Sequence, residues 1–188
     1  MFASLVTFQI AVHVVTDGET PVHSPAWIAS QVATANHYFA PIDAGFELVA
    51  SDALPASAAH LVTRADRDGL AALVTDTRIH VFVIAKLDNV DDPRVPVHGV
   101  TWHAKHATYI IIAADSMERV LAHELGHVFG LPHSTYEISI MNKTRRDDPP
   151  PEQRRFADQE LAAMKPVVAR LAKVLATAPG GEAATPKR

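Results

Sequence analysis

The sequence contains no cysteine, which excludes disulfide bonds, thiolate metal ligands and thiol nucleophiles together. Any metal site must therefore use histidine, aspartate or glutamate side chains. No apolar run is long enough to cross a bilayer, and the net charge of −4 gives no reason to expect nucleic acid or a membrane as a partner. Apolar residues make up 48% of the 188 residues, so we expect a soluble, single-domain monomer.

The N-terminus is apolar but is not typical of a secretory signal peptide. It lacks a basic first segment, and Thr7, Gln9 and His13 interrupt its hydrophobic stretch. Apolar and polar residues alternate there instead, which predicts a β-strand over residues 6–15.

Hydrophobic periodicity predicts an α/β (α+β) fold built on a twisted mixed sheet of about five strands. The predicted strands cover residues 6–15, 46–49, 78–87, 98–102 and 109–113. Two of them, 78–87 and 109–113, are apolar on both faces, which indicates central positions in the sheet. Ser24 and Pro25 predict the start of a helix to about Phe39, and residues 51–67 are typical of a loop with a short helix.

A second helix is predicted before residue 130. Ser116 has the side chain of an N-cap, and Glu118 would place a negative charge in the first helical turn. Apolar spacing continues to Phe129, and Gly130 is typical of the residue that ends a helix.

A last helix is predicted from about Ala157. Pro166 should kink or divide it, because proline lacks the amide hydrogen that a helix interior requires. Residues 178–188 are predicted to form a flexible tail, which leaves one domain over residues 1–177.

The second helix carries the pattern H-E-x-x-H. His123 and His127 are one turn apart, so both imidazoles can reach one ion, and Glu124 between them lies near that ion without ligating it. Gly130 lets the chain reverse, and His133 follows as a third ligand. Three nitrogen ligands leave a position open for water, which is the arrangement of a catalytic zinc.

Chance is a poor explanation for the long form of this pattern. With the residue usage of this chain, H-E-x-x-H is expected in roughly 3% of sequences, and H-E-x-x-H-x-x-G-x-x-H in roughly 6 per 100,000. Two other interpretations remain open: histidines of an amphipathic helix without a metal, and a structural zinc. A structural zinc normally has four protein ligands and leaves no role for Glu124.

Residues 123–133 resemble the zinc signature of the metzincin-clan metallopeptidases. Met141, within residues 138–142, is similar to the methionine turn of that clan, although an ordinary core methionine is the alternative. The short interval from His133 to Met141 is most similar to the matrixin-like members. The resemblance implies a metzincin-like sheet, an active-site helix and a C-terminal helix.

The same resemblance divides the catalytic domain into an N-terminal part, residues 1–130, and a smaller C-terminal part, residues 131–177. It favours an extracytoplasmic or secreted location. Lys143 occupies the place where some metzincins carry an assisting tyrosine, so that role is not expected here. Without cysteine, the thiol latency switch of matrixins is excluded as well.

The resemblance and the motif together predict a zinc-dependent endopeptidase with one catalytic zinc ion and a peptide or protein substrate. Glu124 would act as general base on a zinc-activated water. Two alternatives are a zinc-bearing domain that binds peptides without cleaving them and a zinc hydrolase of a non-peptide amide.

Substrate is expected along the predicted edge strand, on Gly99, Val100, Thr101 and Trp102, by addition of a further strand. Trp102 fits core packing equally well. Residues 142–156 are expected to form the outer wall of the pocket.

A second histidine cluster consists of His98, His103 and His106. Matrixins carry a structural zinc in this region, but its partner aspartate and its spacing are not evident here. We interpret these three as exposed histidines of a strand and a turn.

Overall fold

The computed structural model describes residues 5–143 and 148–177. Its eight strands are β1 (Val6–Asp17), β2 (Thr20–Pro21), β3 (Ala44–Leu54), β4 (His60–Leu61), β5 (Ile79–Ile84), β6 (Lys86–Leu87), β7 (Gly99–Ala104) and β8 (Ala107–Ala113). Its four α-helices are α1 (Pro25–Phe39), α2 (Arg64–Gly69), α3 (Val120–Val128) and α4 (Asp158–Thr177).

Five strands form the main sheet in the order β3-β1-β5-β8-β7, and β2 extends one end of β1. The first four are mutually parallel, whereas β7 runs antiparallel to β8 at the edge. The predicted mixed sheet of about five strands is therefore confirmed. The pair of β4 with β6 forms a separate short parallel ladder.

The two faces of the sheet are covered differently. Helices α1 and α3 pack together on one face, where Val81 and Val83 of β5 join the larger apolar core. Phe82 and Ile84 point to the opposite face and join a second apolar cluster. Because β5 is buried on both faces, its predicted central position is confirmed.

Strand β3 is longer than predicted. It pairs with β1 as far as Leu54, so the loop expected from Ser51 onward is wrong for residues 51–54. This part of β3 is mostly exposed, and pairing of its backbone with β1 compensates for a sequence of weak strand preference. The short helix expected within residues 51–67 corresponds to α2. Thr63 and Asp66 form a capping box at its N-terminus.

Helix α1 begins as predicted, with the Trp27 amide donating to Ser24 Oγ at 3.2 Å. Helix α3 begins later than predicted, at Val120, so the prediction of Ser116 as its N-cap is wrong. The Leu121 amide at its first turn instead donates to the Gln31 side chain of α1, at 3.3 Å. A tertiary contact has replaced the local cap that the sequence suggested.

Helix α4 continues without a break through Pro166, so the proline does not divide it. The predicted tail, residues 178–188, lies outside the described residues. Among the described helices, none combines the length and apolarity that crossing a membrane requires.

Candidate metal centre and active-site cleft

Helix α3 places His123 and His127 one turn apart, and backbone carbonyls orient both rings. The Nδ1 atom of His123 lies 2.7 Å from the Ile140 carbonyl oxygen, and Nδ1 of His127 lies 2.7 Å from that of Leu131. A carbonyl oxygen can only accept, so each Nδ1 must carry the hydrogen. Each Nε2 therefore keeps a free lone pair for a metal ion.

His133 completes the cluster after the chain turns at Gly130, whose φ of 92° lies in the left-handed region that favours glycine. The three histidines offer ligand atoms that all lie within 4.8 Å of one another. Among the residues that the structure describes, no other three histidine, aspartate or glutamate side chains come this close. The set could hold one metal ion.

The protonation of the three histidines also suits a metal. Burial lowers the pKa of His123 to about 4, and it lowers the pKa values of His127 and His133 as well. The nearby Lys143 ammonium lowers the pKa of His133 further. All three rings are therefore neutral near pH 7, which is the form that ligates zinc.

Glu124 is the one acidic residue that lines the cleft among the described residues, and it is 4% exposed. Burial raises the pKa of its carboxyl to about 7. The Thr101 hydroxyl oxygen lies 2.9 Å from Oε2 of Glu124 and 2.8 Å from the backbone carbonyl oxygen of the same residue. A carboxylate with a pKa near neutrality can both take up and release a proton.

Gly99 allows β7 to approach α3 closely enough for this contact. A Cβ atom added at Gly99 would lie 2.6 Å from Val120 Cγ2 and 3.0 Å from Glu124 Oε1. Ordinary carbon contacts are about 3.5–4.0 Å. Gly99 was predicted to bind substrate, and its geometry adds a second role as a spacer between strand and helix.

Met141, predicted to form a methionine turn, packs against helix α3 at Gly126. It is fully buried, and a Cβ added at Gly126 would lie 2.5 Å from its sulfur and 3.2 Å from Phe156. Gly126, between the two helical histidines, therefore leaves the space that the methionine side chain fills.

A buried hydrogen-bond network holds the methionine turn. Ser139 Oγ accepts from the Met141 amide at 2.9 Å and donates to the Glu160 carboxylate at 2.7 Å. The same carboxylate accepts from the Ala157 amide at 2.7 Å, at the start of α4. The turn is thus tied to the C-terminal helix.

The cleft has a volume of about 680 Å³ and is lined by β7, α3 and the segment that follows α3. Gly99, Val100 and Thr101 line it, and their contact with substrate stays a prediction. Trp102 does not line it: it packs with the second apolar cluster, below the Arg67 guanidinium at 4.8 Å. Its Nε1 donates to Asp68 at 2.7 Å, so the core-packing interpretation of Trp102 holds.

Other predicted features lie apart from the cleft or only touch it. His98 contacts Asp115 at 3.1 Å, whereas His103 contacts Thr108 at 3.0 Å and also lines the cleft. The structure does not bring these two together with His106 as a metal group. Of the expected outer wall, residues 142–156, the described residues 142–143 and 148–156 do not line the cleft. Residues 144–147 lie outside the described part of the chain.

Sequence reasoning missed a buried pair of histidines. His13 on β1 and His80 on β5 lie 3.0 Å apart between Nε2 and Nδ1, and His80 Nε2 lies 3.1 Å from Asp76. His13 occupies a polar position of an alternating strand, and His80 is the polar residue of an otherwise apolar strand, which was the available signal. Recognising the pair required knowing that β1 and β5 are neighbours.

The family model described as matrixin, Peptidase M10, matches residues 33–165. A search of curated protein sequences finds no significant match. Among solved structures, metalloproteinase-II from Bacteroides fragilis is similar at 14% identity and a TM-score of 0.57, covering 88% of this chain and 54% of that one.

Two further solved structures share the fold. Mature mirolysin from Tannerella forsythia, in complex with a cleaved peptide, is 15% identical with a TM-score of 0.56, covering 78% of this chain and 72% of that chain. Archaemetzincin from Methanopyrus kandleri is 15% identical with a TM-score of 0.51, covering 91% of this chain and 97% of that chain. The chain spans only 65% of a second mirolysin structure, in complex with compound 9, and 54% of the Bacteroides protein.

The match to the family model, together with the shared fold, defines a protein of the metzincin class. Within that class, the chain belongs to the matrixin family of metallopeptidases, which is zinc-dependent.

Proposed function

We propose that this chain is a zinc-dependent endopeptidase in which His123, His127 and His133 hold one catalytic zinc ion and Glu124 is the general base. One observation carries the proposal: the buried Glu124 carboxylate lines the same cleft as His127 and His133 of the three-histidine cluster. A purely structural zinc site gains nothing from such a residue, and burying it costs stability.

The donor set fits zinc in its catalytic arrangement. Three imidazole nitrogens are typical ligands, and each of the two helical ones is oriented by a carbonyl acceptor. A bound zinc ion would supply Lewis-acid chemistry, polarising the scissile carbonyl and making water more acidic.

Glu124 supplies the proton transfers. Its carboxylate takes one proton from water while the oxygen of that water adds to the carbonyl carbon of the peptide bond. The protonated Glu124 then gives this proton to the amide nitrogen as the carbon–nitrogen bond breaks. Burial raises the pKa of Glu124 to about 7 in the metal-free protein, and the positive charge of a bound zinc ion would favour the carboxylate form that takes up the proton.

The substrate is proposed to lie along β7. Among the described strands, β7 pairs with β8 alone, so its other edge can accept an extended peptide as a further strand. Gly99, Val100 and Thr101 would then bring the peptide past Glu124. The same proposal includes a single catalytic domain over residues 1–177, a monomeric state and a location outside the cytoplasm.

Incubation with casein and with a mixed peptide library tests the proposal. We expect cleavage inside the chains, abolished by a chelator and restored by zinc. Glu124→Gln should retain one zinc per chain and lose cleavage by a factor of about 100 or more, within the range of general-base losses. Binding without cleavage would favour the peptide-binding domain, and cleavage confined to non-peptide amides would favour the other hydrolase.

A further inference from the structure

Thr101 joins the edge strand to the buried carboxylate. Its single hydroxyl group faces two oxygen atoms of the same residue: Oε2 of Glu124 at 2.9 Å and the Glu124 backbone carbonyl at 2.8 Å. Through the described part of the chain, no hydrogen bond engages Oε1. One carboxylate oxygen is therefore held, and the other is left for a reactant.

The position of Thr101 follows from the alternation of β7. Gly99 and Thr101 lie on the same face of the strand, toward α3. Because Gly99 has no side chain, the strand approaches α3 closely at that point. The Thr101 hydroxyl then contacts both the backbone of α3 and the Glu124 carboxylate, so one side chain of β7 fixes the position of the helix and of its glutamate.

We propose that Thr101 is a positioning residue for Glu124, an inference that rests on the proposed peptidase function. A glutamate side chain has three rotatable bonds, so a general base without support samples several orientations. The hydrogen bond from Thr101 selects one orientation and presents Oε1 to the water. A hydroxyl also suits both forms of the base, since it can donate to the carboxylate and accept from the carboxylic acid.

The inference gives strand β7 two roles, alignment of the substrate and alignment of the base Glu124 on helix α3. If the peptide adds to the free edge of β7, the backbone that aligns the scissile bond also carries the side chain that aligns Glu124. Loss of the hydroxyl should therefore slow the chemical step and leave substrate binding almost unchanged.

Three variants test the inference in the zinc-loaded protein. Thr101→Val keeps the side-chain shape and removes the hydroxyl, so we expect kcat to fall about 10- to 100-fold, the loss typical of one hydrogen bond to a charged group, with KM within about twofold. Thr101→Ser should restore kcat to within about threefold of the parent. The matched control is Thr16→Val, which removes a hydroxyl that donates to the Leu54 carbonyl far from the cleft; it should leave kcat unchanged. An unchanged kcat in Thr101→Val, or a loss carried by KM alone, would overturn the inference.

A second readout does not depend on cleavage. In chelator-treated protein, urea unfolding of Thr101→Val, Glu124→Ala and the double variant forms a mutant cycle. We expect Thr101→Val to lower the urea midpoint in the parent and to lower it less once Glu124 is alanine, because only the contact with the backbone carbonyl then remains. Additive effects would refute the contact. If the two substitutions are coupled but the parent protein cleaves no peptide, the contact between Thr101 and Glu124 is supported and the proposed peptidase function is rejected.

Discussion

Replacing Gly99 by alanine should separate the edge strand from the active-site helix. The added Cβ would lie 2.6 Å from Val120 Cγ2, which is about 1 Å inside an ordinary carbon contact. The β-branched Val120 side chain has few rotamers with which to avoid the new atom. The strain must therefore be relieved by movement of β7 away from α3.

The expected loss of stability is about 1–3 kcal/mol, the usual cost of an extra methyl group in a tight contact. In a chain of this size that corresponds to a fall in Tm of about 2–12 °C. A 1 Å displacement would also lengthen the 2.8 and 2.9 Å contacts of Thr101 with Glu124 beyond hydrogen-bonding distance. We therefore expect kcat to fall about as far as in Thr101→Val.

Two further variants control this experiment, measured by calorimetry and peptide cleavage. Gly69→Ala adds the same methyl group where nothing lies within 4 Å, in a helical backbone with φ of −59°, and should be neutral or slightly stabilising. Adding Val120→Ala to Gly99→Ala removes the nearest clash, so the double variant should lose less stability than the two single losses combined. Equal Tm and kcat for Gly99→Ala and Gly69→Ala would refute the spacer role.

Three other predictions concern buried groups. Burial raises the pKa of Glu124 from 4.5 to about 7, so the chelated protein loses stability as pH rises from about 4.5 to about 7. Glu124→Gln should therefore be more stable than the parent by about 3 kcal/mol in urea unfolding at pH 8 and no more stable at pH 4. Equal gains at both pH values would contradict the burial argument. Burial beside His80 lowers the pKa of His13, so the neutral ring stabilises the fold fully above pH 6.5 and this stabilisation declines as pH falls below 6.5. If the free energy of unfolding of His13→Gln fell with acid as steeply as that of the parent, the result would argue against this. Ser139→Ala leaves the Glu160 carboxylate without one donor, and we expect a loss of about 1–3 kcal/mol in urea unfolding; a loss under about 0.5 would exclude a structural role for this network.

The metal cluster could be predicted from the sequence because its geometry is local. His123 and His127 share one helical turn, and the left-handed residue that directs the chain to His133 is a glycine for a steric reason. The central strands were predictable for a similar reason, since burial on both faces requires apolar residues at consecutive positions.

The support of Glu124 could not be predicted, because it depends on contacts between distant segments. Thr101 is 23 residues from Glu124, and Gln31, which caps the active-site helix, is 90 residues from Leu121. The expected cap at Ser116 was wrong because a local pattern competes with such a tertiary donor or acceptor. Strand pairing likewise decided the extent of β3, where local preference is weak.

X-ray absorption at the zinc edge of the zinc-loaded protein tests the central claim most directly. We predict one zinc per chain with three imidazole nitrogens and one further light ligand at about 2.0–2.1 Å. Replacing His133 by alanine should reduce the imidazole count to two. A fourth protein ligand in the parent, or an unchanged imidazole count in His133→Ala, would contradict the account.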